Sequence, residues 1–209
     1  MASHIFSRGY IYPLFLLAIS ISAYCRADET AGAVAVVETL HETLLNVMKN
    51  ADQQDFNDRY TVLEPVITGN FDIPLIAKVV ISRHWEQLDD RQKTDFIGLF
   101  NKLSISTYAS RFNSYAGETF HTLSTEILKK GRVLVKTEIA SPDDEPVRLD
   151  YLMHNTGERW YIISVTADGV NDLSLKRAEY ASVIKENGFD ALVAKINEKI
   201  QTMGKPPTN

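Results

Sequence analysis

Past the middle of the chain the hydrophobic pattern switches to period two and stays there for several runs. Val133, Val135, Thr137 and Ile139 alternate with Leu134, Lys136 and Glu138, and Val147, Leu149, Tyr151 and Met153 alternate with Arg148, Asp150 and His154. Successive strand residues point to opposite faces, so each run offers one apolar face and one polar face. Thr119 to Leu128 also reads as a strand, and Trp160 to Val165, apolar on both faces, reads as a central strand. The links are short turns, Ser141-Pro142-Asp143-Asp144-Glu145-Pro146 and Asn155-Thr156-Gly157-Glu158. A parallel crossover needs about a dozen residues or more, so these runs pair as antiparallel neighbours in a sheet of about four strands.

Helical periodicity lies on both sides of this block. Val34, Val37, Leu40, Leu44 and Met48 recur at three or four from Ala31 to Lys49, and Asp55 to Ile67 forms a second helix. Asp72 and Pro74 open a third, which runs to about Ser82, as N-cap and first-turn residues. Asp89 opens the longest pattern: Phe96, Leu99, Phe100, Leu103 and Thr107 form one face, extended by Tyr108, Phe112 and Tyr115. After the Asp168-Gly169 turn, helices are expected from Asp172 to Glu186 and, beyond the Asn187-Gly188 break, through Phe189, Leu192, Val193, Ile196 and Ile200. Helices, then a meander, then helices make an α+β fold, with N- and C-terminal helices packed on a curved antiparallel sheet.

The N-terminus has the layout of a cleavable export signal. Arg8 is followed by an apolar stretch from Ile11 to Ile21, shorter than the ~20 residues a bilayer span requires, then by Cys25-Arg26-Ala27 ahead of Asp28. Cleavage there removes Arg8 and Arg26, leaving 20 Lys and Arg against 27 acids, a net charge of −7. That balance disfavours nucleic acid and allows only transient contact with an anionic membrane. Cys25 is the sole cysteine; Tyr24 before it is a poor lipidation context, so the mature chain carries no thiol chemistry. The expected division is a signal peptide at 1–27, a single domain at 28–203 and a disordered Pro-containing tail at 204–209.

No phosphate-binding Gly-rich loop and no nucleophile elbow is present. The histidines at 4, 41, 84, 121 and 154 are scattered without metal-ligand spacing, and no cofactor is implied. The aromatic and aliphatic stripes are the chemically suggestive feature. Phe96, Leu99, Phe100, Leu103, Tyr108 and Phe112, with Val135, Tyr151, Met153, Trp160 and Ile162 from the strands, are the expected walls of an apolar pocket. Lys176 and Arg177 are expected at its mouth or on a partner surface.

Trp160-Tyr161-Ile162-Ile163-Ser164-Val165, then Asp168-Gly169-Val170-Asn171, Arg177 and Tyr180, together with Phe71-Asp72 and the helix of Phe96, Phe100 and Tyr108, resemble the MlaC-type proteins, also called the toluene-tolerance or auxiliary organic-solvent-tolerance family. The resemblance runs from about Val34 to Ile200. Three positions depart from it: Asn171 stands where Ser is usual, Lys176 where Tyr is usual, and Ile81-Ser82 where Leu-Gly is frequent. The run from Leu173 to Tyr180, with Gly188-Phe189-Asp190-Ala191-Leu192, is more similar to the hopanoid-associated HpnM branch. The resemblance implies an NTF2-like shape around a deep apolar pocket, in a soluble periplasmic carrier of a Gram-negative envelope. Its ligand would be a phospholipid or a hopanoid. Its partners would be an inner-membrane transporter of ABC or RND type and an outer-membrane complex. A carrier of this kind is not an enzyme.

Two other readings stay open. Folds of this shape also host enzymes, which would need Asp, Tyr or His groups converging in the pocket; of Asp150 and Tyr151, only one can point inward. A packed interior without a cavity would instead suit an envelope scaffold.

Overall fold

The structure is a computed structural model that describes residues 20–205, with side chains from residue 30 onward. Most of the expected signal segment and the last residues of the tail lie outside the described residues. Helix α1 spans Ser20–Lys49, α2 Phe56–Asn70, α3 Ile73–Ile81 and α4 Asp90–Arg111. Strands β1 (Thr119–Leu128), β2 (Arg132–Ala140), β3 (Val147–Asn155), β4 (Trp160–Ala167) and β5 (Val170–Asn171) follow, then α5 (Asp172–Asn187) and α6 (Phe189–Met203). The fold is α+β, and the open sheet is an antiparallel meander in the order β1-β2-β3-β4-β5.

The helix starts are locally encoded. Asp55 accepts from the backbone N–H groups of Asn57 and Asp58 while Asp58 reaches back to the N–H of Asp55, a complete capping box. Asp89 and Gln92 form a second one for α4. Asp72 caps α3 through the N–H of Leu75. Its own N–H donates to the carbonyl of Ile162, and its carboxylate meets His154 at 2.8 Å, so one residue ties α3 to the sheet. The expected α4 stripe ends early: Phe112 is the C-cap, and Tyr115 lies beyond the helix, 43% exposed beneath the ammonium of Lys49.

Strand register sets the inner face. Val133 pairs with Met153, Val135 with Tyr151 and Thr137 with Leu149. On the next strand Met153 pairs with Ile162 and Tyr151 with Val165, across a register shift that brings Ile162, Ile163 and Ser164 all to buried positions. Helix α1 lies across this face with Ala33, Val37, Leu40, Leu44 and Val47 buried. The apolar run of β4 therefore has a different cause from the one its pattern suggests. β4 is not central: its outer edge holds only the two-residue β5 at one end and the Phe71–Ile162 bridge at the other. It is apolar on both faces because α1, α3 and α5 all pack against it. At the β4–β5 hairpin, Asp168 and Gly169 both adopt positive φ (46° and 79°), as a two-residue turn of the right twist requires.

Candidate functional site

Helix α4 packs against α2, α6 and α3, and one further flank borders a cleft. Phe100, Ser104, Thr107, Tyr108 and Arg111, at helical spacing, share that flank. Opposite stand Leu149 and Tyr151 of β3 and Ile163, Val165 and Ala167 of β4; Phe71 and Ile76 add to the lining from the start of α3, and Asp172, Leu173 and Lys176 from α5. Between them is a cleft of about 150 Å³, partly open to solvent, with Arg111 and Asp172 exposed at its border. The hydroxyls of Ser104 and Thr107 donate back to the carbonyls of Phe100 and Leu103, so they add little free polarity to the walls.

A chain of rings runs from the cleft wall into the core. Tyr108 stacks on Phe112 (5.7 Å, 11°) and meets Phe71 edge-on at 5.7 Å. Phe112 leads to Phe120, which stacks on His41 at 4.1 Å, and His41 Nε2 lies 3.0 Å from the Tyr151 hydroxyl. Burial lowers the His41 pKa to about 4, so this imidazole is neutral at pH 7. Burial also raises the pKa of Tyr108, with Asp172 adding to the effect and Arg111 opposing it, and drives that of Tyr151 well above the ordinary phenol range. Both phenols stay protonated, and that of Tyr151 is hydrogen-bonded to His41. Of Asp150 and Tyr151, Tyr151 is the one sealed inside.

Among the described residues, the charged side chains lining the cleft are Arg111, Asp172 and Lys176. Lys176, with 18% of its side chain exposed, is ion-paired to Asp172, which is 52% exposed. Arg111 is exposed and has no hydrogen-bond or ion-pair partner among the described residues. Asn171 fixes the start of α5 beside them: its Oδ1 caps Ser174, and its Nδ2 donates to Ser164 at 2.7 Å and Thr166 at 3.0 Å.

Of the residues expected from sequence, Phe100, Tyr108, Phe112, Tyr151 and Lys176 come together around the cleft. Phe96, Leu103, Val135, Met153, Trp160 and Ile162 are buried in the core away from it, and Leu99 is partly buried against that core. Their stripes face α1, α2 and α6, because α4 and the sheet are each covered on more than one side. Arg177 lies off the mouth and donates to Ser82 Oγ at 2.9 Å. Ser82 ends α3 at φ 50°, a conformation that favours glycine, and the Arg177 contact helps to hold it there. Sequence reasoning missed Arg111, Ser104 and Leu149 as lining residues. Continuing the Phe100–Tyr108 spacing would have found the first two, and the alternation through Tyr151 the third.

A family model described as MlaC protein matches residues 38–198, most of the chain. Among solved structures, the phospholipid-binding protein from Ralstonia solanacearum in complex with a phospholipid superposes with a TM-score of 0.72 at 20% identity. The match covers 82% of this chain and 98% of that one. At that identity the likeness is one of fold.

Proposed function

The chain belongs to the MlaC family, and from that premise we propose that it is a lipid carrier of the cell envelope. Residues 1–27 direct export and are removed before Asp28; the domain from 28 to 203 then shuttles a phospholipid or hopanoid-type lipid through the periplasm between membranes. It receives or delivers its cargo at an inner-membrane transporter of ABC or RND type. The observation that carries this reading is the apolar, ring-walled cleft between α4, α5 and β3–β4, partly open to solvent. Such a wall binds by burial, which gains about 0.8 kcal/mol per methylene and needs no directional chemistry. The phenols inside are held protonated by burial, which suits a binding wall better than a general base.

The cleft is smaller than the roughly 300–1,000 Å³ usual for a ligand pocket, so cargo enters by displacing α5. That helix is the natural element to move. Tyr180 is its only fully buried residue, and Gly169 and Gly188, both at positive φ, lie just before and just after it. Organic extraction of the purified protein followed by mass spectrometry tests the proposal. A near-stoichiometric lipid is expected; no co-purified lipid and no uptake from vesicles would refute it.

A further inference from the structure

The sheet has an open side away from the cleft. Among the described residues β1 has a strand neighbour on one side only, while the cleft lies against β3 and β4. An edge strand presents a row of backbone N–H and C=O groups, and proteins blunt such edges with lysine, proline or a short strand. β1 has none of these devices. It is ten residues long, eight of them exposed, and holds no Pro, Lys or Arg. Its one acid, Glu126, is already ion-paired to Lys136 of β2 at 3.0 Å. Leu123 and Ile127 are exposed at 44% and 42%. A bulge can also protect an edge, and β1 has one: Leu123 is the extra residue, between Thr122 opposite Thr137 and Ser124 opposite Lys136. This bulge sits near the middle of the strand, where it fits a copy of itself.

The bulge sets which residues share a face. Phe120 and Thr122 before it, and Thr125 and Ile127 after it, stand opposite Ile139, Thr137, Val135 and Val133 on the inner face. Thr119, His121, Ser124, Glu126 and Leu128 stand on the outer face. A second β1 laid antiparallel along the free edge, with all ten residues paired, gives one set of partners. Thr119 meets Leu128 of the second copy, Phe120 meets Ile127, His121 meets Glu126 and Thr122 meets Thr125, and the two bulges face each other across the twofold axis. Each of these pairs joins residues of one face. In a strand without the bulge, the same register would set every inner residue against an outer one.

We propose that two copies of this chain associate through their β1 strands, antiparallel and in this register, into one continuous sheet with five strands from each copy. The pairs are of kinds that stabilise sheets: a ring beside a β-branched side chain, threonine beside threonine, and an imidazole N–H that donates to a carboxylate. Helix α1 reaches the Phe120 end of β1, where His41 stacks on that ring, and leaves Ile127 exposed. The antiparallel arrangement brings the covered end of one copy beside the bare end of the other. Both clefts lie away from the joint, so the inference stands apart from the lipid-carrier reading.

Sedimentation velocity of the full chain from about 1 µM to about 1 mM tests it. A strand-sized contact is at the small end of specific interfaces, so half-association is expected at about 10–100 µM. Leu123→Lys with Ile127→Lys should keep the melting curve, since both side chains are exposed, and stay monomeric over the whole range. His121→Glu sets carboxylates against each other and should weaken association about tenfold, whereas His121→Lys should strengthen it. Disulfide trapping in a Cys25→Ser background reads the register. Positions 121 and 126 lie about 17 Å apart along one strand, too far to bridge within a chain. Oxidation of His121→Cys/Glu126→Cys should therefore give a covalent dimer, and His121→Cys/Ser124→Cys, which is out of register, should not. A dimer that survives the lysine pair, or equal trapping by the two cysteine variants, would overturn the proposal. A wild-type chain still monomeric at about 1 mM overturns it too, and leaves the edge to a strand of another protein.

Discussion

The His41–Tyr151 pair gives a quantitative test of how the cleft wall is built. His41 is 4% exposed, stacked on Phe120 and hydrogen-bonded to Tyr151, with no acid facing it. Its pKa falls from 6.5 to about 4 on folding because burial penalises the charged form. Above pH 6.5 the ring is neutral in both states and contributes no pH dependence. Between 6.5 and about 4 the unfolded chain binds the proton and the folded chain does not, so stability falls as pH falls. The full penalty is about 3 kcal/mol, and about 2 kcal/mol of it accrues between pH 7 and pH 5. For a domain of this size that lowers the melting midpoint by roughly 4–8 °C. The assay is urea unfolding at the two pH values, comparing wild type with His41→Phe/Tyr151→Phe. The double variant keeps the ring packing and removes both polar partners; His84, His121 and His154 remain in both proteins and cancel. The variant should lose about 2 kcal/mol less than wild type on going from pH 7 to pH 5. An identical loss in the two proteins would refute the buried, neutral imidazole.

Tyr151→Phe alone strands His41 Nε2 in the core and should cost about 1–3 kcal/mol at pH 7, more than the double variant does; chemical denaturation checks the order. Gly32→Ala should destabilise although alanine is the better helix former. A Cβ at Gly32 would lie 2.8 Å from the Trp160 ring, and a clash of about 1–3 kcal/mol outweighs a gain of about 1 kcal/mol in propensity; the thermal midpoint should fall by several degrees. Asp72→Ala removes the α3 cap and the His154 contact together, and a loss of about 1–3 kcal/mol is expected in urea unfolding. Ser104→Phe places a ring in the cleft while leaving the core untouched; bound lipid per protein should drop at least about tenfold with an unchanged melting curve.

Much of the architecture was legible because its signals are local. Asp55, Asp72 and Asp89 mark helix starts through bonds within their own first turns, and strand alternation with short turns leaves antiparallel neighbours as the only pairing. The identity of the cavity wall was not local. An apolar stripe shows that a face is covered but not by what, since burial against a helix and burial against a cleft demand the same side chains. Phe96 and Phe100 are one turn apart on α4, yet one packs against Phe189 of α6 and the other borders the cleft. Trp160 and Ile162 looked like pocket walls and are core, because α1 and Phe71 close over them. The sequence by itself determined helix, strand and turn, the direction of strand pairing, and the residues that must leave water. Only the tertiary structure decided which of those faces meet one another and which are left facing a gap. That choice depends on how α4, α5 and the twisted sheet fit in space, and no residue's own propensity carries it. It is also what set Arg111 and Lys176, far apart in the chain, at one cleft.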